Sequence, residues 1–305
     1  MKEHQLSFYA FFTDILRKEG AAEAARFAHD CGFEAAEILE AVRPGAKYLF
    51  ADAREARRVR EQMDAHGVRC ACWSVSINIL SDAQGAGCCD GAVDVLCRSA
   101  DYASILGSPF LHHTLTIGYV PPEGQAVTVQ DLLPALLERA GQVAAYANSI
   151  GLTVLYEPQG FYVNGLDGFP AFYDAMKARG YDVGVCGDTG NSLYVGCDPV
   201  AFFARYASDV RHVHLKDLHM EDEVLHRGNA TASRRWDMIA DGRFVTETRL
   251  GEGDVDLRAC MESLRAAGYR GTYSFETFYW NNLSVSLREN LQRDRLYVLQ
   301  AYADI

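Results

Sequence analysis

Two hydrophobic periods alternate along the chain. Amphipathic stretches with apolar residues three and four apart each run into a glycine, and the glycine leads into a short apolar run: Gly32 before Phe33, Gly67 before Val68, Gly107 before Ser108, Gly151 before Leu152, Gly180 before Tyr181 and Gly268 before Tyr269. A glycine just past the last helical turn takes the left-handed conformation that ends a helix at little steric cost. Repeated helix, glycine, strand units predict alternating α and β elements and hence a parallel sheet. The pattern predicts strands at 6–12, 35–39, 69–77, 109–113, 152–157, 182–188, 210–216 and 272–276. Helices are expected at 21–30, 53–65, 92–106, 132–149 and 172–178, from Asp198 and Pro199 onward, and at 257–267 and 285–302. Eight strands and eight helices without a Pro/Gly/Ser-rich linker predict one α/β domain over 1–305, a single (β/α)8 TIM barrel. The connection at about 218–256, between strand seven and its helix, is too long for an ordinary loop. It carries Arg234, Arg235 and Trp236, then Gly251-Glu252-Gly253, and is expected to be a lid or substrate clamp, or alternatively an oligomer contact.

Strand seven breaks the apolar rule for a strand covered on both sides. In RHVHLKD the two-residue period puts His212, His214 and Lys216 on one face and Val213 and Leu215 on the other. Three other strands end in an acid on their small or polar face: Glu157 after Thr153 and Leu155, Asp188 after Gly184 and Cys186, Glu276 after Thr272 and Ser274. All strand C-termini of a parallel barrel open at one face, so Glu157, Asp188, His214 and Glu276 are expected to meet there. Three carboxylates and an imidazole suit a divalent ion that prefers oxygen with some nitrogen, such as Mn2+, Mg2+ or Co2+. Taken singly, each residue also fits a helix cap, an ion pair or a satisfied core histidine. A structural network of buried carboxylates with Lys216 is the joint alternative, at the expense of desolvated negative charge.

Composition narrows the partners. With 29 basic and 41 acidic residues the net charge of -12 opposes attraction to nucleic acid or to anionic membranes. The opening MKEHQLSFYAFFTD lacks the long apolar core of a signal peptide, no run reaches membrane-spanning length, and a cytoplasmic location is expected. Nine scattered cysteines, including Cys70 with Cys72 and adjacent Cys88 and Cys89, read as free thiols of a reducing compartment. Cys186 is either lumen filler or, less in keeping with its neighbours, a nucleophile.

The motifs YEPQ, GDTGN, HVHLKD, GEGDVD and SFET, in that order, resemble the xylose-isomerase-like TIM barrel superfamily. That group of sugar phosphate isomerases and epimerases includes ketose 3-epimerases, inosose dehydratases and keto-glycoside lyases. The resemblance implies that Glu157, Asp188, His214 and Glu276 hold the metal, Mn2+ first among the three ions, and that Glu157 and Glu276 also transfer protons. It implies a small sugar, keto-sugar or cyclitol substrate, isomerised or epimerised through proton abstraction α to a carbonyl. The alternative outcome is β-elimination by a dehydratase or keto-glycoside lyase, including the large subunit of a C-glycoside deglycosidase. The sequence departs from the ketose-epimerase pattern at Asn191, where a histidine is usual, and at Met220, where an arginine is. The HLKD form is closer to the inosose-processing and keto-glycoside lyase branches. Lys216, Asn191, Glu252, His112 and His113 are the candidate substrate-binding residues, either histidine being also readable as an extra base or a packed side chain. A homo-oligomer or a small partner subunit is compatible with the chain.

Overall fold

The computed structural model describes residues 5–9, 11–42, 48–80, 91–223, 236–277 and 286–305. Eight parallel strands close into a barrel in the order β1-β11-β7-β6-β5-β4-β3-β2. They are β1 (Gln5–Phe8), β2 (Ala35–Ala41), β3 (Arg69–Ser76), β4 (Phe110–His113), β5 (Thr153–Tyr156), β6 (Val183–Asp188), β7 (Val210–Leu215) and β11 (Thr272–Phe275). The helices between them are α1 (Phe11–Glu19), α2 (Ala21–Asp30), α3 (Ala53–Ala65), α4 (Ala92–Ile105), α5 (Val129–Ser149), α6 (Gly165–Ala178), α7 (Pro199–Tyr206) and α8 (Leu257–Ala266), and α9 (Leu287–Asp304) follows the last strand. None of the described helices is long and apolar enough to cross a membrane.

The glycine signal marks the helix ends as expected. Gly151 has φ 84° and Gly180 φ 81°, and Leu152 N donates back to Ala147 O at 3.0 Å, so the chain leaves α5 through a left-handed residue straight into β5. Between barrel and helices the aromatic side chains form the core. Tyr156 of β5 meets Phe172 of α6 edge-on at 4.8 Å between ring centroids, and Phe202 lies 4.9 Å from Tyr206. Each such buried side chain stabilises the fold by about 1.5–3 kcal/mol. Inside the barrel, Cys72, Leu155 and Cys186 pack against one another as a small apolar plug.

Two expectations are corrected, and the long connection gains structure of its own. Strand one stops at Phe8, and Phe11 opens α1, which the sequence pattern had merged into the strand. The run LSFYAFF is apolar apart from Ser7, and periodicity cannot separate a buried strand from the first turn of a buried helix. Thr13 locks the corrected helix in place, its Oγ1 accepting from Leu39 N at 2.9 Å. Helix α6 begins at Gly165 rather than at 172, capped by Asn164, whose side chain accepts from Gly165 N. The long connection is not structureless: β8 (Asp217–Glu221), β9 (Asp237–Met238) and β10 (Phe244–Thr248) form an antiparallel sheet in the order β8-β10-β9. Arg234 and Arg235, and likewise Cys88 and Cys89, lie outside the described residues. The seven described cysteines are free thiols.

Candidate metal centre

Register brings the strand-end residues together. Asp188 pairs with His214 across β6 and β7, and Ser274 pairs with His214 across β11 and β7. Glu276 N donates to Leu215 O at 3.1 Å, which sets Glu276 beside Lys216 just past the strand ends. Glu157 follows the last residue of β5. Glu157, Asp188, His214 and Glu276 are all buried, and one donor atom from each lies within 4.8 Å of the other three. The four predicted ligands therefore form one cluster at the C-terminal mouth of the barrel.

Local sequence fixes each side chain. In DTGN, Asp188 Oδ1 accepts from Gly190 N at 2.7 Å and from Asn191 N at 2.5 Å, which leaves Oδ2 toward the cluster. Thr189 Oγ1 accepts from Lys216 N at 2.8 Å and donates to Lys216 O at 2.7 Å, stitching the turn to β7. Gly190 leaves room for close approach: a Cβ there would sit 3.2 Å from Lys216 Cγ and Cδ, and the lysine would have to give by a few tenths of an ångström. Lys216 threads past it and brings Nζ 3.0 Å from Asn191 Oδ1 and 3.3 Å from both Asp188 Oδ2 and Glu276 Oε2.

The electrostatics are those of a crowded, dry site. Burial pushes Glu157 up to about 8, with Glu276 and Asp188 adding to the shift and His214 opposing it. Burial would raise Glu276 too, but Lys216 and His214 overcome it and hold that carboxyl at about 2. Burial also raises Asp188, against the pull of Lys216. Lys216 is held well above its usual range, since Asp188 and Glu276 outweigh its desolvation. The same contest raises His214: burial disfavours the cation, and Cys186, Glu37, Glu157 and Glu276 favour it. The thiol of Cys186 is pushed up by burial, so it is a packed, protonated side chain, as the lumen-filler reading expects.

The other candidates separate into two groups. Asn191 and Lys216 join the cluster. His112 also faces inward, with Nδ1 3.0 Å from Ser74 Oγ and Nε2 3.8 Å from Glu157 Oε2. His113, one residue on, turns the other way: it packs edge-on against Tyr156 at 5.2 Å and Nδ1 donates to Thr114 O at 3.0 Å. Glu252 is exposed, with Arg249 Nη1 3.7 Å from its carboxylate. Its flanking glycines do the local work instead. Gly251 N and Gly253 N donate to Asp217 Oδ2 at 2.8 and 3.0 Å, and Val255 N to Oδ1 at 3.2 Å.

Sequence reasoning did not single out Glu37, Ser74 or Tyr9. Glu37 is fully buried in the middle of β2, with His212 Nε2 2.7 Å from Oε2 and His214 Nε2 2.9 Å from Oε1. Ser74 also donates to it. Burial opposes ionisation of Glu37, yet His214 and His212 hold its carboxyl well below the usual range. The ring of Tyr9 lies 4.8 Å from that of His214. The available signal for Glu37 was a charged residue inside the otherwise apolar run AAEIL.

The donor set fits a divalent ion. Among the described residues Asp188 Oδ2 and Glu276 Oε2 are buried without a hydrogen bond, and four acids (Glu37, Glu157, Asp188, Glu276) face two cations (Lys216, His214). Three oxygens and one imidazole nitrogen suit Mg2+, Mn2+ or Co2+.

Comparison with known proteins gives the same frame. A sequence profile described as "Xylose isomerase-like TIM barrel" matches residues 25–299. The Rhizopine catabolism protein MocC of Rhizobium meliloti is 35% identical over 96 residues, 32% of this chain and 28% of that protein. An inosose dehydratase of Geobacillus thermodenitrificans is 29% identical over 89 residues, 29% of this chain and 28% of that enzyme. These matches thus span under a third of the curated relatives. A xylose isomerase-like TIM barrel protein from Mycobacterium smegmatis, solved in complex with magnesium, superposes with TM-score 0.68 at 17% identity, covering 99% of this chain and 97% of that one.

Proposed function

The chain belongs to the xylose isomerase-like TIM barrel family, and from that premise we propose that it is a divalent-metal-dependent enzyme that abstracts a proton α to a carbonyl in a sugar, keto-sugar or cyclitol. The observation that carries this reading is the buried cluster of Glu157, Asp188, His214 and Glu276 at the barrel mouth. When bound, the ion, Mn2+ with Mg2+ or Co2+ as alternatives, supplies Lewis-acid polarisation of the carbonyl and its neighbouring hydroxyl, worth several kcal/mol to the developing anion.

The chain's own residues do the rest. Glu157 leaves β5 and Glu276 leaves β11, two strands separated by β6 and β7 around the barrel, so their carboxylates approach a bound substrate from different sides. One removes the proton and the other returns it, each contributing about 10²- to 10⁴-fold when well placed. Lys216, kept cationic by Asp188 and Glu276, donates to a substrate oxygen that gains negative charge. Asn191 accepts from Lys216 Nζ and so aims it.

Return of the proton to carbon gives isomerisation or epimerisation. A second reading, loss of a group β to the carbonyl, is supported by the inosose dehydratase match and by Asn191 and Met220 where ketose epimerases usually carry histidine and arginine. Incubation of metal-loaded protein with ketoses and inososes in D2O tests both. Deuterium in a product of unchanged skeleton is expected for the first reading, and loss of water or an aglycone for the second. Absence of any exchange or conversion across the panel would overturn the reading.

A further inference from the structure

Three imidazoles converge on the Glu37 carboxylate, two directly and one through a hydroxyl. His212 Nε2 is 2.7 Å from Oε2 and His214 Nε2 is 2.9 Å from Oε1. Ser74 Oγ donates to Oε1 and lies 3.0 Å from His112 Nδ1. An ionised carboxylate only accepts, so every group facing it must donate. His212 and His214 therefore each carry a proton on Nε2. Ser74 has given its one hydrogen to Glu37 and can only accept from His112, which puts that proton on Nδ1. Two consequences reach the site. With Nε2 of His214 committed to Glu37, Nδ1 is the nitrogen left to ligate once it gives up its proton, and it is the atom 2.6 Å from Glu157 Oε1 and 3.1 Å from Glu276 Oε2. In His112 the unprotonated nitrogen is Nε2, buried without a hydrogen bond 3.8 Å from Glu157 Oε2.

We propose that Glu37 is the positioning residue of this site: directly for His214, and through Ser74 for His112, it fixes which ring nitrogen keeps a proton, so that each ring turns its other nitrogen toward the ligand space. A carboxylate on the far nitrogen of a ligating histidine both orients the ring and raises its basicity. The inference rests on the function proposed above for what His214 binds, but not for the tautomer of His112. Glu37 sits on β2, separated from β7 by β1 and β11, and reaches His212 and His214 across the lumen.

The test combines imidazole 15N–1H correlation spectra of the metal-free protein with calorimetric titration of Co2+ into parent, Glu37→Gln and Ser74→Ala. In the parent, His112 is expected protonated on Nδ1. In Glu37→Gln the amide nitrogen must face one of the three donors, and Co2+ binding is expected to weaken by about 10- to 100-fold. In Ser74→Ala, Co2+ affinity stays at the parent level while His112 loses its preference for Nδ1–H, a change that a merely structural role for Ser74 would not produce. His112 protonated on Nε2 in the parent, or Glu37→Gln binding Co2+ as the parent does, would overturn the proposal. If Glu37→Gln does not fold, the parent and Ser74→Ala spectra still decide it. If the parent takes up no Co2+, the proposed function fails, while the His112 tautomer still tests Glu37.

Discussion

Glu157 and Glu276 share a side chain and a cluster, yet their carboxyls titrate in opposite directions. Glu157 is raised to about 8 by burial beside other acids, and Glu276 is drawn down to about 2 by Lys216 and His214 despite equal burial. Metal uptake requires the carboxylate form, so a proton must leave Glu157. Affinity is therefore expected to rise with pH up to about 8, by about tenfold per unit from this one group, whose own contribution then levels off. Calorimetry in buffers of different ionisation enthalpy checks it through proton release below that pH. Uptake without release would contradict the assignment. At the same scale, Glu157→Gln and Glu276→Gln are each expected to slow substrate deuterium exchange by about 10²- to 10⁴-fold in metal-saturated protein. Exchange at the parent rate in either variant would remove that residue from the reaction.

At the scale of elements, two short loops, DTGN and GEGDVD, hold the mouth of the barrel in place. The GEGDVD segment is anchored by three backbone donors on Asp217. A Cβ at Gly253 would lie 2.1 Å from Asp217 Oδ1 and 2.7 Å from Leu218 O, so backbone as well as side chain would have to yield. Gly253→Ala is expected to destabilise by about 1–3 kcal/mol, measured by urea unfolding. An unchanged midpoint would mean that the loop is not held by Asp217. The elements themselves were largely legible in the sequence, because helix and strand periods with intervening glycines mark them. The helix α3 falls on the expected residues, and β6 and β7 fall within one residue of expectation at each end. The four-residue cluster was legible for the same reason: once a strand is placed, period two fixes which side chain faces the lumen. Helix α1 was not, because Phe8, Tyr9, Phe11 and Phe12 carry no period. Nor was the role of Glu37, whose partners His212 and His214 lie 175 and 177 residues away and meet it only through the lumen. His113 shows the limit from the other side, since neighbouring histidines of one strand must face opposite ways, and sequence alone did not say which faced in.

Over the whole molecule, barrel closure converts acids dispersed over more than a hundred residues, from Glu157 to Glu276, into one site. Concentrating them there carries a stability consequence in the metal-free protein. The folded-state value of Glu157 lies above the ordinary carboxylate range, so neutral Glu157 favours the folded state at low pH and that contribution is lost as pH rises through about 8. Asp188 is displaced in the same direction. Metal-free protein is thus expected to melt at lower temperature above that pH than below it, and the gain on adding a divalent ion to be larger there. A melting temperature that rises through this range would contradict the sign.

Glu157, Asp188, His214 and Glu276, from four strands, are proposed to hold one divalent ion. Elemental analysis of protein purified without chelator and equilibrated with Mn2+, Mg2+ or Co2+, beside His214→Ala and Glu276→Ala, tests it most directly. About one equivalent is expected in the parent, and loss of that equivalent in both variants with the fold retained. A folded parent that takes up none of the three ions, or variants that keep the full equivalent, would contradict it.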